Sequence, residues 1–334
     1  MYKSKIIGLG KYVPKKVVSN EELTKYMDTN DTWIRERTGI EERRWAEPGD
    51  GNTTATMGTA AAKIALERAG LTPKDIDFIV FATLSPDHYF PGSGVLVQEQ
   101  LGCNTIGALD VRNQCSGFVY ALTVADQFIK TGMYKNVLVI GSELQSTGMD
   151  LSTRGRGISV IFGDGAGAVV LTRSNDQSGI LTNNLHSEGK YAKELSVLAP
   201  GCIHSPVKLA EDWNPKDLSY FPYMNGNFVF KHAVTRFPEA ILEGLAEHNL
   251  TPQDIDLLIP HQANLRISQF IQRRLKMKDE QIMNNIQKYG NTTAASIPIA
   301  LTEAWEQNKI KKGDLIVLAA FGSGFTWGAN IIKF

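Results

Sequence analysis

The feature that most constrains this chain is that it repeats itself. Leu71-Thr72-Pro73-Lys74-Asp75-Ile76-Asp77 returns as Leu250-Thr251-Pro252-Gln253-Asp254-Ile255-Asp256, a spacing of 179 residues. Each copy precedes an apolar run, Phe78 to Ala82 in one and Leu257 to Pro260 in the other. Ala121-Leu122-Thr123 returns at the same spacing as Ala300-Leu301-Thr302. Ile129-Lys130-Thr131-Gly132, ahead of the run from Val137 to Ile140, has a counterpart in Ile310-Lys311-Lys312-Gly313, ahead of Leu315 to Ala319. Three matches in one order at nearly one spacing indicate an internal duplication, with halves of 1–175 and 176–334. A chain of 334 residues is long enough for two such units around a large core.

Each half alternates strand and helix patterns, and its strands are continuous apolar runs such as Val137-Leu138-Val139-Ile140 and Leu315-Ile316-Val317-Leu318. Runs of that kind belong to strands covered on both faces, which predicts mostly parallel sheets sandwiched by helices. Both halves end in Gly-rich turns. The first, around Gly163, Gly165 and Gly167, superficially looks like a dinucleotide fingerprint. It leads into the strand pattern Ala166 to Val170 rather than a helix, so the phosphate-binding mechanism is absent and NAD is excluded.

Basic and acidic residues balance at 35 each, so no global field favours nucleic acid or a membrane surface. No apolar run approaches the ~20 residues that span a bilayer. The chain opens directly on an apolar strand pattern, without the features of a signal peptide. Cys103, Cys115 and Cys202 form no close pair and no metal-type spacing. A sparse, odd count suits a reducing compartment, and a cytoplasmic location is expected.

Cys115 lies where a short apolar strand gives way to a helix whose apolar residues fall at Phe118, Leu122, Ala125 and Ile129. Unpaired N–H groups and the positive end of the dipole at that helix start favour an anion, which predicts a lowered thiol pKa and a nucleophile. The segment equally suits a small buried hydrophobe. In the second half, His261 follows the strand end Ile259-Pro260, and Asn291 sits three residues before the position that repeats Cys115. Singly, His261 reads as a partly buried histidine and Asn291 as a helix cap. In a pseudo-symmetric pair, corresponding strand ends face one another, and the three residues converge.

Together these motifs resemble β-ketoacyl-acyl-carrier-protein synthase III, a condensing-enzyme family of the thiolase superfamily. The resemblance runs nearly end to end. It rests on Trp33-Ile34 with Arg37-Thr38-Gly39-Ile40, the Cys115 segment, Phe162-Gly163-Asp164-Gly165-Ala166-Gly167, His261-Gln262-Ala263-Asn264-Leu265-Arg266, Gly290-Asn291-Thr292 and Gly324-Phe325-Thr326-Trp327-Gly328. It implies an α/β, duplicated thiolase-like fold, with two pseudo-two-fold-related halves in a layered α-β-α-β-α arrangement. The N-terminal half would carry the cysteine and the C-terminal half the histidine and asparagine.

The resemblance also implies site residues. Cys115, His261 and Asn291 would form the catalytic triad, and the backbone N–H groups of Cys115 and Ser323 an oxyanion hole. The family commonly has Gly where this chain has Ser323. Trp33, Arg37, Arg156 and Asn227 would contact coenzyme A. Lys231, Gln262, Ala263, Asn264, Leu265, Arg266, Arg273 and Arg274 would dock an acidic acyl carrier protein, where the bland alternative for the charge run is a solvated helix face. Acyl-CoA and malonyl carrier protein would be substrates, with no permanently bound cofactor and no metal, and the chain would be a homodimer. Arg112-Asn113-Gln114 departs from the small residues of well-known members, so Phe90, Arg112 and Gln114 are the expected shapers of the acyl pocket. The segment 204–223 looks long and is expected over the substrate entrance. The rival readings are a synthase-III-like enzyme of a secondary pathway, a Cys-His-Asn hydrolase and a non-catalytic scaffold.

Overall fold

The computed structural model describes residues 2–199, 201 and 218–334. Cys202 and most of segment 204–223 lie outside the described residues. One sheet has five strands in the spatial order Lys3–Tyr12, Gly165–Ser174, Asn136–Glu143, Phe78–Ala82, Gly107–Val111. The other has four, in the order Gly179–Ser187, Thr326–Lys333, Leu315–Gly322, Leu257–Pro260. The two follow one plan, and a parallel bridge from Leu258 to Ile282 stands where the second sheet would have its fifth strand.

The repeated sequence is repeated structure. Thr72 donates both its N–H and its hydroxyl to Asp75 at 2.8 and 2.7 Å, closing the short turn Pro73–Asp75. Thr251 does the same to Asp254 at 2.7 Å for both bonds, closing Pro252–Asp254. Each turn holds the chain at the point where it enters a central strand, a local device that satisfies backbone groups before the strand begins.

Strand direction corrects the sequence reading. Only Phe78–Ala82 with its two neighbours, and Leu257–Pro260 with Leu315–Gly322, pair in parallel. Gly165–Ser174 and Thr326–Lys333 run antiparallel to the strands on either side. Between Gly322 and Thr326 only Ser323-Gly324-Phe325 intervene, so the chain must reverse there. The continuous apolar runs reported burial on both faces, not direction. Val137 and Val139 face one cluster while Leu138 and Ile140 face another. Ile316 and Leu318 alternate in the same way with Leu315 and Val317.

Those clusters are the layers. Helices Thr54–Ala69 and Ser93–Leu101 cover the outside of the first sheet, and Gly226–Ala246 and Leu265–Leu275 the outside of the second. Between the sheets lie Gly117–Lys130 and Ser296–Glu306. Phe118, Leu122, Ala125 and Ile129 are fully buried, the stripe the sequence predicts. The first nine residues of Ser296–Glu306 are all buried, as a helix covered on every side requires. Gly141 is needed at this contact because a Cβ there would lie 2.4 Å from the carbonyl oxygen of Ala294. Among the described residues, no helix is long and apolar enough to cross a membrane, and no group of His, Cys, Asp and Glu is placed to hold a metal ion.

Candidate active site

Both central helices begin at matched elbows. The turn Gln114–Ser116 leads into Gly117–Lys130, and Thr293–Ala295 leads into Ser296–Glu306. Gln114 has φ 46° and Thr293 φ 44°, a left-handed conformation at equivalent positions of the repeat. Side chains that adopt it cost the fold of order 1–3 kcal/mol each and recur at functional sites. The elbows touch: a Cβ on Gly117 would meet those of Ala294 and Ala82 at 3.4 Å.

Cys115 occupies the first elbow and is buried. Its own N–H and that of Ser323 lie near enough to the sulfur to favour its anion. Gly322 makes room for it, since a Cβ there would lie 2.6 Å from Cys115 Cβ and 3.2 Å from Sγ. The Ser323 hydroxyl donates to the carbonyl of Leu195, turning its side chain away while its N–H stays on the sulfur. The expectation of a lowered thiol pKa is not met. Burial, and then the Glu143 carboxylate, push the Cys115 thiol up to about 12, outweighing the two N–H groups. Buried in this way, Cys115 rests as the thiol.

Glu143 escaped the sequence reading. It ends its strand at the position that repeats Gly322 and is fully buried. It accepts from the hydroxyls of Thr83 (3.1 Å) and Ser85 (2.6 Å), from Gln145 Nε2 (3.1 Å) and from Ala294 N–H (3.3 Å). Its own pKa is raised, mainly by burial. Where the first elbow has a glycine packed against its thiol, the second elbow is braced by this carboxyl group.

His261 follows the strand end, its N–H donating to Ala319 at 2.8 Å. Its Nδ1 lies 2.6 Å from Ser296 Oγ, while Nε2 is buried and, among the described residues, has no hydrogen-bond partner. Burial lowers its pKa to about 3, so the ring is neutral. Asn291 is held by two backbone bonds, N–H to Ile161 (2.7 Å) and C=O from Gly163 (3.1 Å). Its Oδ1 accepts from Thr293 N–H at 2.8 Å, which fixes the amide and leaves Nδ2 as the donor. Buried Arg43 packs behind this backbone, donating to Val18 and Val160 carbonyls at 3.2 and 2.8 Å. The site therefore offers a buried thiol at two N–H groups, a neutral imidazole and an oriented amide.

Two family models match the chain: 3-oxoacyl-[acyl-carrier-protein (ACP)] synthase III over residues 109–189, and the C-terminal region of the same enzyme over 245–334. A beta-ketoacyl-[acyl-carrier-protein] synthase III of Ehrlichia canis is 45% identical over 334 residues, covering 100% of both chains. One from Caldanaerobacter subterraneus is 45% identical over 98% of this chain and 97% of its own. The crystal structure of the Aquifex aeolicus enzyme superposes with a TM-score of 0.90 at 45% identity, covering 99% of this chain and 100% of that one. This chain belongs to the 3-oxoacyl-[acyl-carrier-protein] synthase III family. It is an acyltransferase of the condensing type with the thiolase-like fold, and relatives of this similarity favour synthase III over the secondary-pathway enzyme, the hydrolase and the scaffold.

Against the synthase III pattern, the remaining expected residues separate into groups. Trp33 carries the guanidinium of Arg37 at 4.5 Å and that of Arg156 at 4.6 Å from its ring centroid. Asn227 is exposed in the first turn of Gly226–Ala246. Asn264 caps Leu265–Leu275, accepting from Arg266 N–H and donating to the Arg37 carbonyl, both at 2.9 Å. Lys231, Arg266, Arg273 and Arg274 are exposed, and Ala263 and Leu265 are half-buried. Gln262 must be removed from the docking set. It is buried, donates to the carbonyls of Pro260 and Met283, and accepts from the N–H groups of Asn285 and Ile286. Both ends of its side-chain amide are used inside the chain. Phe90 is 81% exposed and Arg112 is exposed, so in a single chain neither is enclosed with the thiol; Gln114 is half-buried in the elbow itself.

Two outcomes follow from this geometry. Gly322→Ala forces a methyl against Cys115; it lowers stability by about 1–3 kcal/mol and slows acylation of Cys115, followed by intact-protein mass spectrometry, whereas acylation at the wild-type rate would show that the space is not needed. His261 titrates near 3 folded and 6.5 unfolded, so the unfolded state binds the extra proton between those values and stability falls as pH drops through that window. In His261→Gln the slope of unfolding free energy between pH 6.5 and 4 is shallower by about 1.4 kcal/mol per pH unit, measured by denaturant titration; equal slopes would place a charged ring in the native state.

Proposed function

We propose that this chain condenses a primer acyl-CoA with malonyl carrier protein through an acyl-Cys115 intermediate. Cys115 Sγ bonds to the acyl carbon, the thioester C–S bond of CoA breaks, and the thiol proton ends on the departing CoA sulfur. The N–H groups of Cys115 and Ser323 receive the oxyanion that forms on the way. Malonyl carrier protein then loses CO2, and His261 Nε2–H and Asn291 Nδ2–H donate to the oxygen of the enolate. Its carbon attacks the acyl-Cys carbonyl, the Cys115 thiolate leaves and is reprotonated, and the β-ketoacyl carrier protein departs. Covalent catalysis divides one hard step into two. Donors aimed at developing oxyanions contribute about 3–4 kcal/mol each in comparable sites. The observation that carries this assignment is the contact of the two elbows, which brings the turn bearing Cys115 against the turn that follows Asn291.

Acyl-CoA and the carrier protein are substrates here, and the chemistry calls for no resident cofactor. Trp33 with Arg37 and Arg156 offers a flat, cationic surface suited to an adenine and its phosphates. Asn227 is a further candidate contact for coenzyme A, and Lys231, Arg266, Arg273 and Arg274 present positive charge to an acidic carrier. A second copy of the chain fits the free edge strand Gly107–Val111, where Phe90 and Tyr89 are strongly exposed. Halves of 1–175 and 176–334 then supply the nucleophile and its two donors.

The test is to incubate the protein with acetyl-, branched- and long-chain acyl-CoA and record the mass of the Cys115 peptide. An acyl adduct is expected, and Cys115→Ala loses both adduct and condensation product. Product formation by Cys115→Ala would contradict the assignment.

A further inference from the structure

His261 has to present a proton on the nitrogen that meets the substrate, yet no carboxylate holds its ring. Among the described residues, the ring's hydrogen-bond partner is Ser296 Oγ, 2.6 Å from Nδ1. That hydroxyl oxygen already accepts the N–H of Gln262 at 3.3 Å, and among the described residues these are its two hydrogen bonds. A hydroxyl with one lone pair engaged still has a hydrogen to place, and Nδ1 is the acceptor within reach. Ser296 is also the first residue of the 11-residue helix Ser296–Glu306. The positive pole of that helix lies against Nδ1 and disfavours a proton on it. Nε2 is buried and, among the described residues, has no hydrogen-bond partner.

We infer that Ser296 is the positioning residue of His261: its hydroxyl donates to Nδ1 and so keeps the single proton of the neutral ring on Nε2. Burial, which lowers the His261 pKa to about 3, excludes the doubly protonated alternative at working pH. The same interaction fixes the plane of the ring. Gln262, pinned by four backbone groups, holds the N–H that orients the hydroxyl. The equivalent position in the first half is Gly117, so the hydroxyl belongs to the half that carries the histidine. The role assigned to Nε2–H rests on the condensation proposed above, but the tautomer itself does not.

The experiment separates the two. In wild-type protein labelled with 15N-histidine, with the His261 signals assigned against His261→Gln, Nε2 carries the proton in the absence of any substrate. Ser296→Ala populates both tautomers, and Ser296→Thr restores the first. With acetyl-CoA and malonyl carrier protein, Ser296→Ala releases CO2 about tenfold or more slowly while Cys115 is acylated within about threefold of the wild-type rate, and Ser296→Thr recovers CO2 release. A proton on Nδ1 in the wild type, an unchanged tautomer in Ser296→Ala, or equal slowing of acylation and CO2 release would overturn the inference. Wild-type protein that never acylates Cys115 would overturn the functional reading, and the tautomer would still be decided by the resonance measurement.

Discussion

Everything at the site depends on two helices buried between two sheets. Gly117–Lys130 buries Phe118, Leu122, Ala125 and Ile129, and Ser296–Glu306 its first nine residues, so these side chains must fit sheets on both sides and each other. That fit brings their N-terminal elbows into contact at Gly117 and Ala294. Interiors are close-packed and deform little, so a contact of this kind sets positions to fractions of an ångström. The elbows inherit that precision, and with them Cys115, Asn291 and, through Ser296, His261. A duplicated fold thus brings two unlike elbows together: one bears Cys115, and the other follows Asn291 and holds His261 through Ser296.

Asymmetry is written into residues at equivalent positions. Gly322 and Glu143 end matching strands, and the glycine leaves space beside the sulfur while the glutamate fills the corresponding space under Ala294. Gly117 and Ser296 open matching helices, and only the second has a hydroxyl to offer a histidine. The electrostatics follow from burial. The thiol and the imidazole are both neutral because both are buried, and burial favours neutral groups. Backbone N–H groups and a fixed amide then supply polarity without net charge, ready for an anion that exists only during reaction.

Much of this was legible in the chain because its causes are local. The Thr72–Asp75 and Thr251–Asp254 boxes lie within four residues, so their sequence and their hydrogen bonds repeat together. The stripe Phe118, Leu122, Ala125, Ile129 reads as a helix because its spacing is the helix's own. Strand direction was not legible, since runs buried on both faces look alike in either orientation. The state of the Cys115 thiol was misjudged for a related reason. The helix start is local, whereas the burial and the Glu143 carboxylate that outweigh it come from elsewhere in the chain. Gln262 sits in a motif that runs from buried His261 out to exposed Arg266, and only the backbone groups of Met283, Asn285 and Ile286 reveal that it points in. Glu143 and Ser296 carry no motif at all; their importance lies in what they meet across the central layer.

The central claim is a division of labour, with backbone N–H groups serving the acyl group on Cys115 and the His261–Asn291 pair serving the malonyl group. Asn291→Ala tests it most directly, by measuring acyl-Cys115 formation and CO2 release from malonyl carrier protein in the same preparation. The account predicts acylation close to the wild-type rate with CO2 release slowed about a hundredfold. Acylation lost to the same extent, or CO2 release at the wild-type rate, would contradict it.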